Sequence, residues 1–301
     1  MFKDIKQVMK DSVLYGIGNV AVKLVGFILI PLYTDAEYFS TADYGLMGLL
    51  EVTSQILIAV MGLSLYSGLI RWYWDAEYRD KQKTIFFTTL LFTILTSLCI
   101  GSVLWLNIDE LSALLVQQEG YSLGGELPYI LQLLILTSML GAVVEVPQNL
   151  LRLQRKPIYY SLTNIVRLFA TLVLTIYFTI SLHRGVSGVY EAQLVGIVIQ
   201  LLMVLPLVIK NSSCRVDRKC TIQLLVYSYP LVFPAIVGSL LTVFDRYIIN
   251  HFQGLDDVGF YSLGYKVGNT LKVFIVTSVQ LALTPLLMKK MNDPDNKQFY
   301  S

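Results

Sequence analysis

Residues 12–43 read SVLYGIGNVAVKLVGFILIPLYTDAEYFSTAD. From Ser12 to Tyr33 the run is almost wholly apolar, and about 22 residues at 1.5 Å rise cross a bilayer as a helix. Lys23 falls in the middle of it. A lysine near the bilayer centre costs roughly 2.5–3.5 kcal/mol on insertion scales, so it faces a protein interior or a wet cavity. The helix has a stripe to present it: Ser12, Gly16, Asn19, Lys23 and Gly26 recur at three- and four-residue steps and share one face. Such a helix is not a lone anchor. It needs partners that offer Lys23 water, a counter-ion or a ligand.

The rest of the chain supplies them. Of 301 residues, 55% are hydrophobic and 15% charged, where soluble domains carry about 25% charged, and the mean hydropathy is +0.61. The fold class is an all-α integral membrane protein. Eight spans are legible: Ser12–Tyr33, Tyr44–Ile70, Thr84–Leu106, Leu127–Leu151, Ile158–Leu182, Ser187–Ile209, Ile222–Asn250 and Val258–Met288. The last two exceed one crossing, which tilt, kinks or protruding ends absorb. The central Lys23 and the lack of a small-residue cleavage site argue against a cleaved signal peptide. Cys99, Cys214 and Cys220 have no zinc-type spacing and read as free thiols.

The loops alternate in charge. One set carries Lys3, Lys6 and Lys10, then Arg71, Arg79, Lys81 and Lys83, then Arg152, Arg155 and Lys156, then Lys210, Arg215, Arg218 and Lys219, then Lys289, Lys290 and Lys297. The other holds Arg184 as its one Lys or Arg, among Asp35, Glu37, Asp43, Asp109, Glu110, Glu119, Asp256 and Asp257. The positive-inside rule places both termini in the cytoplasm. A parity error in the span count would scramble this alternation.

A weak internal repeat accompanies it. Ala42-Asp43-Tyr44-Gly45-Leu46 opens the second span and Asp256-Asp257-Val258-Gly259-Phe260 the eighth. Each follows a long apolar helix and a short acidic loop, and matching Gly45 to Gly259 places Leu49 on Leu263. Read as a lobe boundary, this divides the chain into a six-helix lobe at 1–210 and the start of a second lobe, two helices and a short cytoplasmic tail, at 211–301. A second lobe of equal size would need about four more helices beyond Ser301, so the chain is expected to be a truncation, a fragment or half of an assembly.

Five basic residues lie in the spans: Lys23, Arg167, Arg246, Lys266 and Lys272. Glu51, Glu145 and Asp245 accompany them, with Glu191 near an outer end. One reading is structural pairing, Lys23 with Glu51 and Arg167 with Glu145. The other is a hydrated cavity of net positive character, because cations outnumber acids even after every pairing. The second is favoured and implies an anionic ligand, with Lys23 and Arg167 lining one cavity and Arg246, Lys266 and Lys272 as further candidates. Glu51, Glu145 and Asp245 are candidates for ion coupling or counter-charge. Pro230 and Pro234 each remove a backbone donor, so a kink or break is expected there, as a static bend or a hinge. Arg71-Trp72-Tyr73-Trp74 reads as an interfacial belt. No nucleotide-binding, zinc-protease or nucleophile-elbow motif is present, so the chain does not read as an enzyme.

Several stretches resemble the polysaccharide flippases of Wzx type: Gly16, Asn19 and Ile30-Pro31-Leu32-Tyr33, then Ala42-Asp43-Tyr44-Gly45; Leu151-Arg152-Leu153-Gln154-Arg155-Lys156; Tyr229-Pro230-Leu231-Val232-Phe233-Pro234; Phe244-Asp245-Arg246-Tyr247; and Val258-Gly259-Phe260-Tyr261. The patterns cover most of the chain, each of them loose. That family belongs to the MOP exporter superfamily, with multidrug MATE transporters and lipid II flippases as relatives. The resemblance implies two lobes of 12 to 14 helices in all, a V-shaped cavity and alternating access. Here it implies a complete N-terminal lobe and an incomplete second one. The implied substrate is an undecaprenyl-diphosphate-linked oligosaccharide, turned from the cytoplasmic to the periplasmic leaflet of the bacterial inner membrane. The implied partners are that glycolipid, membrane lipids, a polysaccharide polymerase and glycosyltransferases, with no nucleic acid. No cofactor is implied; the coupling ion, H+ or Na+, stays open. A MATE-type drug/cation antiporter is the alternative transporter, although such a protein is expected to carry an acid in the first span where this one has Lys23. A non-transporting scaffold of a polysaccharide-assembly complex is the alternative of another class.

Overall fold

Helix α2 (Thr41–Gly62) starts where its sequence says a helix should start. The Ser40 hydroxyl accepts from the Asp43 amide at 3.1 Å, and the Asp43 carboxylate accepts from the Ser40 amide at 2.9 Å. This reciprocal cap satisfies two orphan donors of the first turn. The computed structural model describes residues 28–115, 125–213 and 215–272. The first predicted span, Lys23 included, lies outside them except for its last residues, where one helical turn, α1 (Ile30–Tyr33), leads out.

The second predicted span is not one helix. Leu63 and Ser64 have φ of 44° and 51°, and the chain resumes as α3 (Leu65–Trp72). Two consecutive non-glycine residues in the left-handed region interrupt the hydrogen-bond ladder. After a 3-10 turn (Ala76–Lys81) come α4 (Gln82–Leu106) and α5 (Ile108–Leu115). Then follow α6 (Leu127–Leu153), α7 (Pro157–Ile176, with a π turn at Tyr177–Ser181), α8 (Gly185–Asn211), α9 (Arg218–Phe252) and α10 (Leu255–Lys272). Pro157 opens α7 at a position where the missing N–H is no loss. Among the described residues six helical stretches, from Thr41–Gly62 to Arg218–Thr242, are long and apolar enough to cross a membrane. The protein is a multi-pass membrane protein.

Of the kink or break expected at Pro230 and Pro234, a break does not occur: α9 runs through both prolines for 35 residues. A proline deprives the carbonyl four residues earlier of its donor and crowds its neighbours. Beside that site the Ser64 hydroxyl donates to the Leu231 carbonyl at 3.3 Å. The irregular point of the α2–α3 segment thus faces the irregular point of α9.

Helices α2, α6, α8 and α10 run from the acidic loop end to the basic loop end; α4, α7 and α9 return. Three apolar clusters of described residues hold the bundle, the smallest being Met61, Ile135 and Ala142. Near the acidic end Leu46, Leu49 and Leu50 of α2 pack with Leu131 and Leu134 of α6 and Val189 of α8. Near the basic end Leu65, Leu69, Phe86, Leu150, Leu207 and Leu224 pack together. In lipid, helices associate through packing and interhelical hydrogen bonds rather than hydrophobicity. Ser54 and Ser138 link α2 to α6 at 2.9 Å, the Thr96 hydroxyl donates to the Met61 carbonyl at 2.7 Å, and Gln148 donates to Thr163 at 2.9 Å. Large apolar side chains that stay exposed, such as Leu202, Ile209, Phe233 and Leu241, form the surface that acyl chains would cover.

Candidate functional site: a cationic, tyrosine-walled cavity

Helices α2 and α10 pack closely. A Cβ on Gly45 would lie 1.8 Å from the Leu255 carbonyl oxygen, and one on Gly259 would lie 2.5 Å from the Thr41 carbonyl oxygen. Only glycine permits this approach. One turn on, a Cβ on Gly48 would meet Ser262 Oγ at 2.3 Å. Toward the basic end from this crossing the helices part around a cavity of about 510 Å³. Its walls come from α1, α2, α8, α9 and α10.

Among the described residues the cavity's charges are Arg246, Lys266 and Glu51. Arg246 on α9 is 7% exposed, its guanidinium lies 4.8 Å from the Tyr265 ring centroid, and its Nε has no acceptor among the described residues. Lys266 Nζ stands 5.4 Å from the Tyr33 ring centroid and 5.8 Å from that of Tyr44. A cation over an aromatic face is held without being neutralised. Ser262, on the same wall, also has a buried hydroxyl with no partner among the described residues. Unpaired buried polar atoms at a cavity wall are what a ligand or water would satisfy.

A second cavity of about 640 Å³ lies on the acidic-end side, beside Thr34, Glu37, Asp256 and Gly259. Tyr33 and Tyr44 belong to both. These two rings are therefore the partition between the two spaces, with Lys266 against them.

The residues singled out from the sequence fall in several places. Arg246, Lys266 and Glu51 come together on the cavity wall. Arg167 does not join them. Its Nη1 donates to Gln200 Oε1 at 3.0 Å, and Gln200 Nε2 donates to Asn164 Oδ1 at 2.9 Å. The physical reason is that α7 packs on the far side of α8, whose Tyr190 and Gln193 supply that wall instead. The alternative reading, Arg167 paired with Glu145, is not seen either, the amide ladder standing in its place; Glu145 lies at the α2–α6 crossing, 3.9 Å from where a Gly62 Cβ would be. Asp245 accepts from the Tyr261 hydroxyl and from the Arg246 amide at 2.8 Å. Lys23 lies outside the described residues, as does the side chain of Lys272, the last residue of α10. Among the described residues the ion pairs are Arg71–Asp75, Lys81–Asp217 and Arg184–Glu191, all near helix ends.

The tyrosine walls and Gln193 were not singled out from the sequence. Tyrosines are frequent throughout this chain, and nothing in their spacing separates those beside lysine from those at interfaces. Gln193 follows Tyr190 by three residues and shares its face, which was a usable signal.

The fold is shared with solved transporters. A MATE multidrug transporter, DinF-BH, superposes with a TM-score of 0.73 at 15% identity over 94% of this chain and 64% of that one. The Vibrio cholerae MATE transporter VcmN gives 0.65 at 17% identity over 94% and 65%. A MOP superfamily transporter from Pyrococcus furiosus, described as having a binding pocket of reverse polarity, gives 0.62 at 18% over 94% and 62%. The chain thus spans a little under two thirds of the length of each. No curated protein matches the sequence. The family described as polysaccharide biosynthesis protein matches residues 8–291, and on that match the chain belongs to this family.

Proposed function

We propose that this protein moves an undecaprenyl-diphosphate-linked oligosaccharide from the cytoplasmic to the periplasmic leaflet during the synthesis of O-antigen, capsule or exopolysaccharide. The observation that carries the reading is Arg246: a buried guanidinium on a cavity wall, stacked on Tyr265, with Nε unpartnered. A diphosphate is the ligand such a group suits, because guanidinium forks match phosphate oxygens. Lys266 adds a point charge on the same wall, and with Glu51 ionised the cavity keeps a net positive charge. The isoprenoid tail stays in lipid while the headgroup crosses through the hydrated groove. The family match to polysaccharide biosynthesis supports the same substrate class.

The structural likeness to MATE transporters by itself favours a drug/cation antiporter. The described residues give the cavity two cations and one acid, which disfavours cationic drugs and favours the anion. Reconstitution in vesicles decides. The flippase translocates labelled glycolipid and loses this with Arg246→Gln. An antiporter would instead move cationic dyes against a gradient, and a scaffold of the assembly complex would move neither.

A further inference from the structure

We infer that Asp245 and Tyr247 are positioning residues for Arg246: through them α9 is fixed to α10 on one side and to α2 on the other, and the guanidinium is held ready for a diphosphate. The inference deepens the anion-binding reading above and rests on it.

A helix turns about 100° per residue, so three consecutive side chains point three ways. At Asp245-Arg246-Tyr247 each way meets a different wall. Asp245 accepts from the Tyr261 hydroxyl of α10. Arg246 turns into the cavity. Tyr247 meets Thr53 of α2 at 2.7 Å. The Thr53 hydroxyl has a single proton and donates it to the Leu49 carbonyl at 2.8 Å, so Tyr247 is the donor in that pair. One turn further along α9, Asn250 Nδ2 donates to the Leu115 carbonyl at the end of α5, at 2.9 Å. The face of α9 that carries Tyr247 and Asn250 is thus pinned at two points to earlier helices.

The α10 side is a two-point contact as well. Tyr261 and Tyr265 share one face of α10, their ring centroids 6.2 Å apart. Asp245 holds the first by its hydroxyl, and the Arg246 guanidinium lies 4.8 Å from the centroid of the second. Asp245 Oδ1 also accepts from the Arg246 amide at 2.8 Å. A slip of α9 along α10 would break the Asp245 bond and lift Arg246 off its ring together. Orientation matters here because the guanidinium fork meets phosphate oxygens in pairs, and a side chain fixed beforehand loses less freedom on binding. In this role Asp245 serves as a hydrogen-bond acceptor. Ion coupling would require it to be a titrating carboxylate, and a neutral acceptor at the same position tells the two apart.

The test titrates farnesyl diphosphate, a short-chain polyprenyl diphosphate, into the full chain in nanodiscs. Arg246→Gln should weaken binding at least about tenfold, the scale of a hydrogen bond to a charged group. Tyr261→Phe and Tyr247→Phe each remove one hydroxyl and should weaken it about three- to tenfold, the scale of one net hydrogen bond. Asp245→Ala should lose at least as much. Asp245→Asn keeps an acceptor for Tyr261 and should bind within about twofold of wild type. In an Arg246→Gln background none of these substitutions should weaken binding further, because no guanidinium is left to position. The inference is overturned if the phenylalanine variants bind as wild type does, if their losses persist without Arg246, or if Asp245→Asn loses as much as Asp245→Ala. Wild-type affinity in Arg246→Gln would instead sink the anion reading, and the positioning role with it.

Discussion

Gly45 and Gly259 pack against each other in a reciprocal contact: each points its missing side chain at the carbonyl of the residue four positions before the other, Leu255 in one case and Thr41 in the other. This is the pattern two like surfaces make about a local two-fold axis, here between parallel helices of one chain. It gives the faint sequence repeat a physical role, since a repeated glycine is what lets the two helices close on the acidic-end side of the cavity.

Gly45→Ala and Gly259→Ala should each destabilise the protein, by roughly 1–3 kcal/mol as for overpacking elsewhere, because the new methyl meets backbone that cannot rotate away. Gly264→Ala is the control. No described residue lies within 4 Å of its Cβ position, so it should be neutral or gain a few tenths to about 1 kcal/mol of helix propensity. Thermal melts of the purified proteins in detergent would compare them. Equal melting of all three would contradict the close approach.

Arg246→Gln should leave the protein folded while glycolipid export falls at least tenfold, and Arg246→Lys should retain more than Gln does but less than wild type. The charge is retained by lysine, whereas the fork is not. Among the described residues Arg246 has no carboxylate ion-pair partner whose loss of charge balance would unfold the protein: its neighbour Asp245 is engaged by Tyr261. Export assays normalised to protein level read the difference, and full activity of a stable Gln variant would remove Arg246 from the mechanism.

Pro230 and Pro234 remain candidates for a hinge although α9 is continuous. Replacing both with alanine restores two backbone donors and should raise stability by a few kcal/mol at most, while slowing export if α9 flexes there during transport. Ser64→Ala, which removes the hydroxyl on the Leu231 carbonyl, should cost about 1 kcal/mol. Unchanged export rates in the double proline variant would identify a static bend.

Reporter fusions after Lys83, Lys156 and Lys219 should read cytoplasmic, and fusions at Asp43 and Gly185 periplasmic. The helix directions place the first three at one end of the bundle and the last two at the other. A periplasmic signal at Lys156 would invert the assignment.

Asp217 ties the loop end of α4 to the start of α9. It accepts from Lys81 Nζ at 2.6 Å and from the Lys219 and Cys220 amides at 2.9 and 3.3 Å. The lysine bond first, and the amide bonds with it, hold its carboxyl below the usual aspartate range. A carboxyl held low in the folded state stabilises above its unfolded pKa and loses that contribution as pH falls through the folded value. Melting temperature should therefore drop more steeply below about pH 4 in wild type than in Asp217→Asn, and the two curves should converge in acid. Parallel curves would show the contact contributes nothing.

Sequence by itself determined the membrane class, the helix directions and most span limits, because each depends on local composition: a run of apolar residues finds its place in lipid whatever its neighbours do, and charge alternation orders the ends. It also marked Glu51, Arg246 and Lys266 as costly charges needing a home. Tertiary structure alone decided which of those charges share one. Arg167 looked equivalent to Arg246 along the chain, but α8 stands between α7 and the cavity, and neutral amides receive its guanidinium instead. The break at Leu63–Ser64 and the continuity of α9 through two prolines were likewise decided by the partner helix. A backbone irregularity is stable only where another element packs against it and satisfies its polar groups, and that partner lies far away in sequence.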